Sequence, residues 1–136
     1  MNAVETNILI YVHDHCDPAK QAIAETLVQT LPDAILLWQV ACEYIAASRK
    51  LEPFGYSTEK AWQDIHKLRN LWSAQLPTWE VLQRTEGLMH RYNLSSWDAL
   101  IIAACLECGV ARLYSEDFDA SAQGEGLEII DPFAAL

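Results

Sequence analysis

Two hydrophobic patterns alternate along the chain. Short apolar runs bounded by turn residues are typical of buried strands, and they occupy residues 1–5, 34–38, 110–114 and 127–131. Apolar residues spaced three or four apart favour helices, and they occupy residues 17–31, 39–50, 58–72, 78–92 and 95–108. Residues 8–12 are also apolar and suit either the start of a helix or a bend back across the sheet. Because strands and helices alternate, the pattern predicts an α/β fold with a mostly parallel sheet covered on both faces, an α/β/α sandwich.

The ends of several elements carry their own signals. Asp17 is placed to cap a helix whose first position is Pro18, and Thr78 is placed to cap the helix that follows Pro77. Ser95 is placed to cap another helix, which carries Asp98 at its third position. Gly109 follows the last residue of that second helix and favours its termination.

Helix-breaking residues interrupt the chain between the predicted helices at 39–50 and 58–72. Pro53 and Gly55 predict a loop over residues 51–58. In the helix that follows, Trp62 and Trp72 share the apolar phase, so we expect both of them in the core.

Composition narrows the class of protein. The chain has 136 residues, which favours one domain over residues 1–136, and it is 51% hydrophobic and 21% charged, as in ordinary globular proteins. No apolar run reaches the ~18 residues of a membrane span, and the first residues lack the basic and apolar regions of a secretory signal, so we expect a cytoplasmic protein. The net charge of −10 is unfavourable for nucleic-acid binding without excluding it.

The four cysteines do not point to disulfides. Nothing marks the chain as secreted, so reduced thiols are expected at Cys16 and Cys42 as well as in the Cys105-x-x-Cys108 motif. That motif lies deep in a helical pattern, whereas redox pairs open a helix at its N-terminus. Buried small side chains are therefore the preferred interpretation, with a redox or zinc site as the alternative.

Four segments deliver a carboxylate where a predicted strand ends or where a helix begins. Glu5 follows the first strand, Glu43 lies in the helix after the second, Asp98 lies in the first turn of its helix, and Asp117 follows the strand at 110–114. Glu116 and Asp119 are alternatives for this fourth acid. In parallel sheets ligands bind at the carboxyl ends of the strands, so these acids are expected along one edge.

Carboxylates gathered in this way repel one another unless their pKa values rise or cations neutralise them. Hard cations such as Mg²⁺ and Mn²⁺ prefer oxygen ligands, and a carboxylate site holding them can hydrolyse phosphodiester bonds. Taken singly, each acid has an ordinary explanation. Glu5 could be a solvated residue at a strand end, and Asp98 could form a capping arrangement with Ser95. Glu43 could lie on an exposed helix surface, and Asp117 could belong to a polar loop.

Four motifs, in order, resemble one known family. TNILIY after an acid, WQVACEY around Glu43, SSWDALIIAACLECG around Asp98 and LYSEDF around Asp117 are similar to the four acidic motifs of PIN-domain ribonucleases, in particular the VapC-type toxins of bacterial toxin–antitoxin pairs. The ending GLEIIDPF is similar to the last strand of that family. The resemblance extends over nearly the whole chain.

The resemblance implies a fold, an activity and partners. The fold would be a PIN-like parallel sheet between helices, and the activity would be Mg²⁺- or Mn²⁺-dependent endonucleolytic cleavage of RNA. Glu5, Glu43, Asp98 and Asp117 would be the catalytic, metal-binding acids. Thr6, Asn7 and Ser115 would orient them through hydrogen bonds. Such toxins commonly form homodimers and are silenced by a cognate antitoxin protein.

One position departs from the family pattern. The first acid is usually Asp in an Asp-Thr-Asn motif, and here it is Glu5, whose carboxylate extends one methylene farther. Mg²⁺ demands near-ideal octahedral geometry, so the site would adjust, prefer Mn²⁺ or be slow. A catalytically weakened relative that still binds a partner or RNA is therefore the alternative function.

Two further hypotheses and the RNA contacts stay open. A phospho-acceptor receiver domain needs paired acids after its first strand and a late Lys, and the chain offers neither. An interaction protein without catalysis would use some of the five Trp residues as its contact surface. Phosphate contacts are predicted for the basic residues of the middle of the chain, which equally suit solvated helix faces: Arg49, Lys50, Lys67, Arg69, His90 and Arg91.

Overall fold

A parallel sheet forms the centre of the molecule. The computed structural model describes residues 1–118 and 125–136. Within these residues β1 pairs with β4 and β4 with β5, while β2 pairs with β3, all in parallel. A parallel bridge between Asn2 and Ala34 joins the two groups, which gives the order β3-β2-β1-β4-β5. The strands are β1 (Asn2–Val4), β2 (Ile35–Leu36), β3 (Ser73–Ala74), β4 (Arg112–Tyr114) and β5 (Glu128–Ile130).

Helices flank this sheet, and the predicted α/β fold is confirmed. The helices are α1 (Thr6–Tyr11), α2 (Pro18–Thr30), α3 (Trp38–Ala47), α4 (Thr58–Leu71), α5 (Trp79–Arg91) and α6 (Ser96–Glu107), with a 3₁₀ helix at Ser48–Phe54. The side chains of Asp17, Thr78 and Ser95 cap α2, α5 and α6 as their sequence positions predict. In the part of the chain that the structure describes, no helix is long and apolar enough to cross a bilayer.

The structure corrects four local predictions. Trp38 begins α3 instead of ending a strand, and the predicted loop at 51–58 is largely 3₁₀ helix that Gly55 ends at a φ of 96°. The strand β3 was not predicted, because both of its residues are exposed and too few to show a period. Trp62 is 47% exposed and is not a core residue, whereas Trp72 is half-buried against the core.

The core lies between the central strands and the helices next to them. Val4 of β1 and Leu113 of β4 are almost completely buried. Helix α6 is apolar on nearly all sides and buries residues 99 and 101–105. A polar residue in the first turn of such a helix is therefore fixed in position by the burial of the turns that follow.

The carboxyl ends of the strands share one edge. The backbone N–H of Glu5 donates to the Tyr114 carbonyl at 3.0 Å, and that of Ser115 donates to the Ile130 carbonyl at 2.9 Å. These bonds place the residues that follow β1, β4 and β5 side by side. Helix α3 begins only two residues after β2, so its first turns lie at the same edge.

Candidate active site

Glu5 lies where β1 ends and α1 begins. Its backbone has extended dihedrals and precedes the first helical residue, but its side chain makes no capping hydrogen bond. Instead, Ser115 Oγ donates to Glu5 Oε2 at 3.0 Å. The Glu5 carboxylate is thus held against the end of β4 and is not a solvated strand-end group.

The electrostatic surroundings of Glu5 are unfavourable for a negative charge. Burial raises the pKa of Glu5 from 4.5 to about 7, against the hydrogen bond from Ser115, which lowers it. The charges of Asp117, Glu43 and Asp98 raise the pKa further, in that order. All three of the other predicted acids therefore lie close enough to Glu5 to act on it.

Glu43 is held by a hydrogen-bond donor on each of its oxygens. Thr6 Oγ1 donates to Oε2 at 2.8 Å, and Gln39 Nε2 donates to Oε1 at 2.8 Å. Thr6 is the first residue of α1 and is buried, while Gln39 lies one turn before Glu43 on α3. The carboxylate is thereby fixed relative to both helices.

Gln39 is a site residue that the sequence analysis did not identify. Its side chain is only 8% exposed, and its Nε2 also donates to the Trp97 carbonyl at 3.2 Å, one residue before Asp98. Gln39 therefore links the helix that carries Glu43 to the helix that carries Asp98. Its Oε1 is buried and has no hydrogen-bond partner among the described residues. The four-residue spacing between Gln39 and Glu43 was the available sequence signal.

Asp98 is the third residue of α6 and is half-buried. Its backbone N–H donates to the Ser95 capping hydroxyl at 3.1 Å. The hydrogen bonds of the described residues include none to the Asp98 carboxylate, so its oxygens are not committed to a capping box there. A carboxylate in the first turn of a helix is also stabilised by the helix dipole.

The structure distinguishes the two neighbouring acids after β4. Asn7 Nδ2 donates to Asp117 Oδ2 at 2.8 Å, and the Asp117 backbone N–H donates to Ser115 Oγ at 3.1 Å. Glu116 instead accepts from Lys20 Nζ at 2.6 Å and from the Tyr11 hydroxyl. Asp117 is therefore linked to Glu5 through the Ser115 hydroxyl, while Glu116 is paired with Lys20 and Tyr11.

Asp119, the third alternative for this position, lies outside the described residues. The sheet edge that carries Glu5, Glu43, Asp98 and Asp117 is called the acid edge below.

The donor set of the acid edge suits a hard divalent cation. It consists of carboxylate oxygens. The pKa of Glu5 is raised mainly by burial and further by the charges of Asp117, Glu43 and Asp98, and a cation would offset these charges. In residues 1–118 and 125–136, however, no three His, Cys, Asp or Glu side chains are arranged to hold one metal ion. As the side chains stand, an ion would be held by one or two carboxylates together with water, the usual mode for Mg²⁺.

The predicted phosphate-contacting residues are not gathered at the acid edge. Lys67 and Arg69 lie in the last turns of α4, directly before the amino end of β3. Arg49 and Lys50 follow α3, six and seven residues beyond Glu43, or roughly 10 Å along the helix axis. Arg91 is engaged in an ion pair with Glu125.

Cys105 is a buried small side chain as predicted, whereas Cys108 is half-buried and Cys16 and Cys42 are exposed. All four are free thiols; Cys105 is buried in α6, and burial holds the pKa of its thiol well above the usual range.

Comparisons with known proteins agree with this fold. The sequence model of the PIN domain family matches residues 3–125. No curated protein matches significantly in sequence.

Two solved structures are similar over nearly their whole length. A toxin–antitoxin complex from Klebsiella pneumoniae superposes with a TM-score of 0.72 at 15% identity, covering 98% of each chain. VapC20 of Mycobacterium tuberculosis, a toxin that cleaves the sarcin–ricin loop, superposes with a TM-score of 0.69 at 16% identity, covering 93% of this chain and 96% of that one.

Proposed function

The chain belongs to the PIN domain family, and on that basis we propose that it is a metal-dependent endoribonuclease that acts as the toxin of a toxin–antitoxin pair. The single observation that carries this proposal is the convergence of Glu43, Asp98 and Asp117, from separate segments, on the buried Glu5. Burial, and to a smaller extent these three charges, raise the pKa of Glu5 to about 7. Such crowding disfavours the charged site unless a cation neutralises it.

Glu5, Glu43, Asp98 and Asp117 would hold Mg²⁺ or Mn²⁺, one or two of them directly and the others through water. When bound, the metal would lower the pKa of the attacking water and neutralise charge on the phosphodiester. The protein's contribution is to fix the carboxylates in advance: Thr6 and Gln39 orient Glu43, Asn7 orients Asp117, and Ser115 orients Glu5. Because Glu5 has a raised pKa, its carboxyl releases a proton when a cation binds beside it.

A homodimer is part of the proposal. Large apolar side chains are exposed in one stripe along α5, formed by Trp79, Leu82 and Met89. Trp79, Leu82 and Met89 share one helix face, on which Glu86 lies between Leu82 and Met89. Leu71 at the end of α4 and Leu76 before α5 are also exposed. Exposed apolar patches of this kind mark protein contacts.

An antitoxin partner is supported by a second surface. A cleft of about 580 Å³ opens between α1, α2 and α4, with Leu9, Val28, Leu68 and Trp72 among its lining. It is separate from the acid edge and suits an apolar segment of another protein. The similar complex from Klebsiella pneumoniae is a toxin bound to its antitoxin, which supports a partner of this kind for the present chain.

The proposed activity is tested with the purified chain and mixed cellular RNA. Cleavage is measured with Mg²⁺, with Mn²⁺ and with a chelator. The proposal predicts internal cuts with either metal and none with the chelator. Cleavage that is equally fast with the chelator would contradict metal dependence, and release of single nucleotides from the ends would contradict an endonuclease.

A second candidate function rests on Glu5. Because the usual Asp is replaced by a longer side chain, the chain is alternatively a weakened relative that binds RNA or an antitoxin without efficient cleavage. Calorimetric Mn²⁺ binding distinguishes the two functions when no cutting is seen. Metal and RNA binding without cleavage would favour the weakened relative.

A further inference from the structure

Two exposed tryptophans lie at the acid edge. Trp38 is the first residue of α3, directly after β2, and is 52% exposed. Trp97 directly precedes Asp98 in the first turn of α6 and is 66% exposed. Gln39 connects the two positions, since it follows Trp38 in the chain and donates to the Trp97 carbonyl at 3.2 Å. Both indoles are largely exposed to solvent, so packing within the chain does not explain why tryptophan occupies these two positions.

The cations of the chain do not provide an RNA-binding surface at this place. There are nine Lys and Arg residues against a net charge of −10. Five of them are paired with carboxylates in the described part of the chain: Lys20, Lys60, Arg84, Arg91 and Arg112. The other four are Arg49, Lys50, Lys67 and Arg69, which follow α3 or end α4, away from the acid edge. Attraction of phosphates therefore contributes little there, and RNA needs another source of affinity.

We infer that Trp38 and Trp97 are base-stacking platforms, each of which binds one unpaired base of the RNA beside the cleavage site. Stacking of a base on an aromatic side chain contributes about five- to 150-fold in affinity for each base. A base is available for stacking only where it is splayed out of a helix, in a single strand or a loop. The inference rests on the proposed nuclease function and names two residues that would bind its substrate.

RNA is favoured over a protein as the occupant of this surface. The two tryptophans lie beside Asp98 and, through Gln39, beside Glu43. An occupant that binds at the amino ends of α3 and α6 therefore lies next to the acids, which a substrate must reach. The α5 stripe and the apolar cleft offer protein partners contact surfaces that leave the acids open.

The test measures RNA binding by fluorescence anisotropy, with cleavage suppressed by Asp98→Asn and Mn²⁺ present. The probes are a labelled single-stranded RNA of roughly 12 nucleotides and the same sequence in a perfect duplex. Trp38→Ala and Trp97→Ala are introduced singly, with Trp62→Ala as the matched control because Trp62 is exposed on α4 beside His66. Trp97→Phe, which keeps an aromatic ring, serves as the conservative variant.

We expect single-stranded RNA to bind at least tenfold more tightly than the duplex. Trp38→Ala and Trp97→Ala should each weaken single-strand binding about five- to 150-fold, Trp97→Phe should restore most of it, and Trp62→Ala should change it less than twofold. Quenching of tryptophan fluorescence by RNA should be weaker in Trp38→Ala and Trp97→Ala, called the edge variants below, than in the parent. Circular dichroism melting verifies that each variant is folded.

Several results would overturn the inference. Single-strand affinity unchanged in both edge variants, or equal affinity for the duplex, would rule out stacking. A change of oligomeric mass by analytical ultracentrifugation that parallels the loss of RNA binding would assign the indoles to a protein contact. If the chain with its native acids cuts RNA while the edge variants bind normally, only this inference fails. If it neither binds nor cuts RNA, the proposed function fails with it.

Discussion

Gln39 holds Glu43 from one helical turn away, with its Nε2 at 2.8 Å from Glu43 Oε1. The same nitrogen lies 3.2 Å from the Trp97 carbonyl, so one buried amide positions an acid of α3 against the start of α6. Side chains that orient metal-binding carboxylates contribute to activity nearly as the ligands themselves do. Gln39 therefore has a positioning role in the proposed site.

We predict that Gln39→Met lowers both the cleavage rate and the affinity for Mn²⁺ by about 10- to 100-fold, because Glu43 loses a donor while the buried volume is kept. Calorimetric Mn²⁺ binding is measured beside the rate. Gln83→Met, at an exposed position of α5, is the matched control and should leave both unchanged. Normal Mn²⁺ binding by a folded Gln39→Met protein would remove Gln39 from the site.

Replacing Glu5 by the usual family residue tests whether the longer side chain limits the site. We expect Glu5→Asp to preserve or raise the cleavage rate, since Mg²⁺ geometry is demanding and the Asp carboxylate is the family norm. The ratio of Mg²⁺-supported to Mn²⁺-supported rates should also rise. A sharp loss of rate would mean that the pocket, including the Ser115 hydrogen bond to Glu5, is shaped around the longer residue.

The pH dependence of stability follows from Glu5. Its pKa is raised from 4.5 to about 7 in the folded protein, so between these values the folded state holds a proton that the unfolded state has released. Without metal, the free energy of unfolding should therefore fall as the pH rises from about 4.5 to about 7, by no more than about 3 kcal/mol, and less where solvent screens the group.

Urea unfolding of the metal-free protein at pH 5 and pH 8 measures this fall. Glu5→Gln is the control and should lose most of the difference. Adding Mn²⁺ should stabilise the parent more at pH 8 than at pH 5, because a cation competes with the proton. If the free energy of unfolding of the metal-free parent rises from pH 5 to pH 8, and that of Glu5→Gln does not, the predicted direction of the pH dependence is wrong.

Lys20 is predicted to maintain the segment that carries Asp117. Its Nζ donates to Glu116 Oε2 at 2.6 Å, and Tyr11 donates to the other oxygen of the same carboxylate. We expect Lys20→Met to lower cleavage severalfold and Lys20→Arg to retain it. Lys60→Met breaks the comparable pair with Asp64 on α4 and should leave cleavage unchanged. Equal effects of the two Met variants would show that only general stability is involved.

Much of the fold followed from local patterns, because caps and buried apolar runs are local properties. The helix starts at Asp17, Thr78 and Ser95 are of this kind. The strand β3 did not follow, since two exposed residues carry no period and are paired only by the neighbouring β2. Trp62 was misplaced because its helical phase matches the core face while its indole is half exposed.

The site residues, too, could be predicted only where local sequence identifies them. The acids could be proposed from their positions after strands and from family resemblance, whereas Gln39 could not, because its role depends on a contact with α6, a distant part of the sequence. The choice between Glu116 and Asp117 likewise depended on Lys20, which lies 96 residues from Glu116 in the chain. The spacing of residues within one segment does not predict which distant residue a polar side chain will contact.

The most direct measurement compares RNA cleavage by the parent, Asp98→Asn and Glu107→Gln under the same Mn²⁺ concentration. Asp98 and Glu107 lie on the same helix, but Glu107 is in its last turn and pairs with Arg84, so its acid-to-amide change is a matched control. The account predicts that Asp98→Asn stays folded and loses cleavage while Glu107→Gln cuts like the parent. A folded Asp98→Asn protein that cuts RNA as fast as the parent would contradict the assignment of the acid edge as the active site.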